Sequence, residues 1–195
     1  MILGFAHITR NVRSGTLQVD PVLSAPEKWP LMERQATSHR IFFEGPTPQI
    51  ELVEYDTDVV ERPGRLGLLT TAVSLRVRSL AVECSFFSGG LGFDWTSGSC
   101  GGTLRLTSFP NWEASIVPFV EADAPIDPPL DIAGYAALAF YSTDVEADRD
   151  HLLKHGGRTP TEPFTVKLDR EMKIVMLRSP EGTIIELIQV LGERK

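Results

Sequence analysis

The stretch RSPEGTIIELIQV, residues 178–190, decides how the chain is read. Behind the turn signal SPEG, β-branched and apolar residues run from Thr183 to Val190, the pattern of a strand. Glu186 stands in the middle of it. At a period of two its same-face neighbours are Ile184, Ile188 and Val190, while the other face carries Ile185 and Leu187. Neither face is polar. A carboxylate buried alone costs several kcal/mol, so Glu186 needs a positive or proton-donating partner.

Working outward, the segment that ends in this strand has a clear order. YAALAFYSTD (135–144) is a strand, and VEADRDHLLKHGGR (145–158) is a helix with a glycine stop. The strands FTVKLD, KIVMLRS and TIIELIQV follow, giving β-α-β-β-β. Residues 68–120 repeat the order. TAVSLRVRS is a strand and SLAVECSFFSGGLGF a helix with a Gly-rich end, followed by the strands FDWTS, GTLRLTSF and ASIVPFVE. The first segment opens with the strand LGFAHITRNV and closes with HRIFFEG and PQIELVEYD. Its middle, APEKWPLMERQATS, carries two prolines and allows only a short helix. Two Pro-, Gly- and acid-rich stretches, 56–67 and 121–134, separate these modules. The expected fold is therefore α+β, with about three repeated βαβββ modules. The domains are a partial N-terminal module over 1–55 and a two-module unit over 68–192.

Composition excludes some functions. The 195 residues carry a net charge of −7, with 42% hydrophobic and 23% charged residues, as expected of globular material. An acidic chain argues against nucleic-acid or anionic-membrane partners, and no apolar run reaches the roughly 18 residues of a membrane span. MILGFAHITRNV lacks a basic start and a small-residue cleavage site, so it reads as a strand and not a signal peptide. Cys84 and Cys100 make no disulfide framework, and a cytoplasmic protein with free thiols is the expectation.

The modules also align end to end. FAHITRNV (5–12) sets against LAFYSTDV (138–145), and IELVEYD (50–56) against IELIQVL (185–191). Glu51 and Glu186 thereby hold one place in their last strands, and His7 falls opposite Phe140. These repeats, the LGF after one helix (91–93), LLKHGGR closing another (152–158) and RSPEGTIIELIQ (178–189) together resemble the vicinal oxygen chelate superfamily, the glyoxalase, bleomycin-resistance and extradiol-dioxygenase group. The resemblance implies a curved mixed sheet forming a cup, with a divalent metal held by His or Gln and Glu from the first and last strands of each module. Carried onto this chain, it implies His7, Glu51 and Glu186 as metal ligands. Phe140 takes the place of the fourth, and module two offers neither ligand. The spare module implies a homodimer.

One imidazole and two carboxylates suit Zn, Ni, Co, Mn or Fe. Two adjacent substrate oxygens on such an ion are polarised together, and Glu186 or Glu51 can serve as general base. The expected function is thus a small-molecule lyase, isomerase or epimerase of this type. The alternative is a metal-free cup that sequesters a small hydrophobic or aromatic ligand, lined by residues such as Tyr55, Tyr141, Trp95, Trp112 and Phe119. A third possibility is an interaction module that pairs an open strand edge. His39 is a substitute for the missing ligand. His151 and His155, one helical turn apart, read as a solvated face, and Cys84 as a structural thiol. SGGLG (88–92) has no lysine and no strand-loop-helix context, so it is no phosphate loop.

Overall fold

The computed structural model describes residues 2–12, 38–43, 49–55, 72–98, 101–106, 115–122, 126–127, 134–167 and 170–192. The first module contributes β1 (Ile2–Val12), β2 (Ser38–Phe43) and β3 (Gln49–Tyr55). The second contributes β4 (Ala72–Val77), α1 (Leu80–Leu91), β5 (Phe93–Gly98), β6 (Gly101–Leu106) and β7 (Ser115–Val120). The third contributes β8 (Gly134–Ser142), α2 (Val145–Lys154), β9 (Phe164–Lys167), β10 (Glu171–Arg178) and β11 (Ile184–Leu191). The helix expected between 25 and 38 lies outside the described residues.

Within modules two and three the last strand returns parallel beside the first. The sheet orders are β4-β7-β6-β5 and β8-β11-β10-β9. The first module repeats this with β3 parallel to β1 and β2 antiparallel outside it. The first and third modules then join through β1 and β8, which pair antiparallel, to make one seven-stranded sheet ordered β2-β3-β1-β8-β11-β10-β9. The second module forms its own four-stranded sheet.

Side-chain packing connects the modules differently. Period-two alternation sends Leu138, Phe140, Val175, Leu177, Ile185 and Leu187 to one face of the large sheet, where they pack with Val145 and Leu152 of α2. The same core takes in Leu75, Val77, Phe86, Phe87, Leu91 and Phe93 of module two. An edge-to-face chain runs Phe86–Phe87–Phe93–Phe140, with centroids 5.7, 5.4 and 6.1 Å apart. Strand pairing therefore joins module one to module three, while the shared core joins module two to module three. The boundary expected between 55 and 68 lies outside the described residues.

The helices stop and start where local chemistry requires. Gly92 closes α1 in the left-handed region at φ 75°, where a side chain would be strained, and its N–H reaches the Phe87 carbonyl. Asp144 caps α2, its carboxylate accepting from the N–H groups of Glu146 and Ala147 at 3.2 and 3.1 Å. Asp144→Ala leaves those donors without their acceptor and is expected to lower stability by about 1 kcal/mol, read as a shifted chemical-denaturation midpoint with unchanged slope.

Candidate functional site

Glu186 lies 6% exposed in β11. Its face of the sheet carries Ala137, Ala139, Ile174, Met176, Ile184 and Ile188, a second apolar cluster on the side away from the helices. The strand register places Glu186 level with Ala139 of β8 and with Met176 of β10. Ala139 is in turn level with His7 of β1. His7, Ala139 and Glu186 thus form one row across three adjacent strands. The middle residue of the row ends at its Cβ, and so does Ala137 two places along β8. That leaves the space beside Glu186 clear of bulk on the β8 side.

Glu51 stands on β3, level with Thr9 of β1, and His39 on β2, level with Glu54 of β3. The side chains of His7, His39 and Glu51 lie outside the described residues, as do those of Tyr55, Trp95, Trp112 and Phe119. Among the described residues no group of three or more His, Cys, Asp and Glu side chains is gathered to hold a metal.

The expectation that Phe140 occupies the fourth ligand position is corrected. Phe140 is fully buried on the helix-side face, edge-on to Phe93, and so points away from the Glu186 side. The register gives the reason. Glu51 is level with Thr9 and Glu186 with Ala139, so the counterpart of His7, two places earlier, is Ala137. An ungapped alignment misses this by three residues, an odd slip that reverses the face. β1 also carries register irregularities against β8, between Phe5 and His7 and between Thr9 and Arg10.

His151 and His155 are exposed, their rings 4.4 Å apart, with His155 Nδ1 3.0 Å from the His151 carbonyl oxygen. Cys84 is buried, and burial, followed by the nearby Glu83 charge, pushes its thiol up to about 11, which leaves it inert as a nucleophile. Tyr141 is 39% exposed.

Sequence reasoning passed over two further buried acids, Asp148, which accepts from Ser142 Oγ at 2.6 Å, and Glu83. Glu83, on α1, is fully buried. Its Oε1 accepts from Ser179 Oγ at 2.7 Å and Thr183 Oγ1 at 2.9 Å, and its Oε2 from the Glu181 N–H at 3.2 Å. Desolvation holds its carboxyl above the ordinary carboxylate value; the hydroxyl and N–H donors pull the other way, and the Glu181 charge adds to the rise. The signal was present in SLAVECSFF. Glu83 shares a helical face with Phe86, Phe87 and Gly90, inside an otherwise apolar stripe.

No family model matches the chain, and no curated protein matches its sequence. Solved structures do. A glyoxalase I mutant from Zea mays is 17% identical at TM-score 0.48, over 95% of this chain and 67% of that one. A glyoxalase/bleomycin resistance protein/dioxygenase family enzyme from Burkholderia phytofirmans PsJN is 13% identical at TM-score 0.47, over 62% of this chain and 98% of its own. A virulence protein from Salmonella typhimurium is 19% identical at TM-score 0.45, over 68% and 99%. The chain's own connectivity is the one its sequence resemblance implies: among the described residues a βαβββ order occurs twice, each time with the last strand parallel beside the first.

The fold is glyoxalase-like. Among the described residues, no helix is long and apolar enough to cross a membrane.

Proposed function

We propose that the protein is a divalent-metal-dependent enzyme acting on a small molecule that binds through two adjacent oxygens, by lyase, isomerase or epimerase chemistry, with His7, Glu51 and Glu186 as the metal ligands. The observation that carries this reading is the row His7–Ala139–Glu186. Two strand spacings separate its ends, about 10 Å. A histidine or glutamate donor stands roughly 5 Å from its Cα, from standard bond lengths, and a metal–donor bond adds about 2 Å. That reach is long enough to span the gap over the alanine. Glu51 stands one strand further out and two residues along, level with Thr9, while Gln49 is level with His7; the resemblance, not the row, carries its place in the proposed set. The donor set, one imidazole and two carboxylates, fits a borderline or hard divalent ion.

When bound, the ion supplies Lewis-acid polarisation of the two substrate oxygens. The chain's own residues do the rest. Glu186 lies among Ile174, Met176, Ile184 and Ile188, a setting that sheds water. Glu186 or Glu51, once displaced from the ion, would take the proton beside the substrate carbonyl and return it. Ala137 and Ala139 leave room for the substrate against β8.

The test is metal content by elemental mass spectrometry on protein purified without chelator. Wild type is expected to carry about one equivalent of a transition metal at a three-ligand site with an open position. Glu186→Ala and His7→Ala lose it, and the double variant His151→Ala/His155→Ala keeps it. A wild type without metal overturns the proposal. The metal-free reading would then take its place, supported by Ala137 standing where a fourth donor belongs and by the apolar face around Glu186. Its check is a hydrophobic small molecule retained through purification.

A further inference from the structure

We propose that Glu83 is a positioning residue: from module two, it holds the turn that launches β11 and thereby sets the place of Glu186. Glu83 takes three hydrogen bonds, and all come from the single turn Ser179–Thr183. The grip is reciprocal. Glu181, from the turn, accepts the Arg78 N–H at 2.6 Å just before α1, and its carboxylate lies 3.9 Å from Arg78 Nε. The turn is also closed on itself, with the Ser179 N–H on the Thr183 carbonyl at 2.8 Å and the Thr183 N–H on Ser179 Oγ at 2.9 Å. It therefore moves as one piece, and α1 fixes where that piece sits.

β11 begins at Ile184, directly after Thr183. Glu186 follows two residues later, level with Ala139. A strand entered one residue out of register sends every side chain to the opposite face. For Glu186 that is the face of Leu187 and Phe140, closed off by the helices. An acceptor buried at the start of the strand makes such a slip costly, because it would strand three donors and a carboxylate away from water. The second module thus acts on the site through this contact.

The metal half of the test rests on the function proposed above; the exchange half does not. Full-length wild type, Glu83→Ala and Glu83→Gln are compared by amide hydrogen exchange over 179–190 and by cobalt(II) titration followed in the visible spectrum. Glu83→Ala is expected to speed exchange over 184–188 selectively, to weaken cobalt binding by about tenfold or more, the scale of lost supporting contacts, and to shift the cobalt bands. Glu83→Gln, which keeps an acceptor and the shape, is expected to restore all three. Should Glu83→Ala fail to fold, Thr183→Val removes one donor at constant shape and carries the same test with a smaller effect. Unchanged exchange and cobalt affinity in Glu83→Ala overturn the inference, and so does acceleration spread evenly over the whole chain. If wild type binds no cobalt, the metal proposal falls, and selective exchange over 184–188 still decides the role of Glu83.

Discussion

Phe87→Ala is expected to lower the unfolding free energy by about 3–5 kcal/mol, the range for deleting a fully buried aromatic side chain. Phe87 has no exposed surface. It sits between Phe86 and Phe93 in near-perpendicular contacts, at interplanar angles of 84° and 82°. Such pairs add roughly 0.5–1.5 kcal/mol beyond their buried area, so the loss falls toward the upper end of the range. Phe93 passes the contact on to Phe140 of β8, and the cavity left by Phe87 would open at the seam between modules two and three. Val82, on the same helix, is 47% exposed, and Val82→Ala is expected to change stability by less than about 0.5 kcal/mol. Urea titrations of both variants check the pair. A Phe87→Ala loss below about 1 kcal/mol would mean that the helix and the large sheet do not share one core.

The order of elements was legible in the chain because each carries its own period and stops. HLLKHGGR announces the end of α2, and β11 begins within a residue of where TIIELIQV places it. Burial of Glu186 was legible too, since Ile184, Ile185, Leu187 and Ile188 leave it no wet side. The partner of module three was not. First strands of any two modules pair equally well by composition, and the β1–β8 ladder is specified by contacts more than a hundred residues apart. The Phe140 assignment failed for a related reason. A strand alignment without gaps ignores bulges, and one unnoticed irregularity reverses inside and outside. Glu83 was legible by the same reasoning that singled out Glu186. An acid in an apolar helical stripe demands a partner as strongly as one in an apolar strand, and its donors lie 96 to 100 residues away in the turn.

The fully buried Glu83 also sets an expectation for stability against pH. The folded protein holds the Glu83 proton more tightly than the unfolded chain, because burial outweighs the hydrogen bonds that favour the charge. The sign follows from linkage. A group whose pKa is raised by folding contributes stability that is fully present below its unfolded value, near 4.5, and lost as pH climbs through the folded value. Glu83→Gln removes that dependence. A carboxamide can place its oxygen toward the Glu181 N–H and its NH2 group toward Ser179 Oγ and Thr183 Oγ1, both of which can accept. Below pH 4.5 the two proteins are therefore expected to unfold alike. As pH rises toward neutrality, the glutamine variant is expected to become progressively the more stable of the two. Glu83→Ala is expected to be the less stable at every pH, by about 1–3 kcal/mol for donors left buried and unmet, with the lost side-chain packing added to that. Guanidinium unfolding of the three proteins between pH 4 and pH 8 reads all of this at once. A glutamine variant that loses ground to wild type as pH rises would mean that the turn's donors outweigh desolvation and that the buried carboxylate is a net stabiliser. The acid would then be a fastening selected for strength; the opposite outcome makes it a fastening kept at a cost in stability, as expected of a residue whose task is to fix where β11 begins.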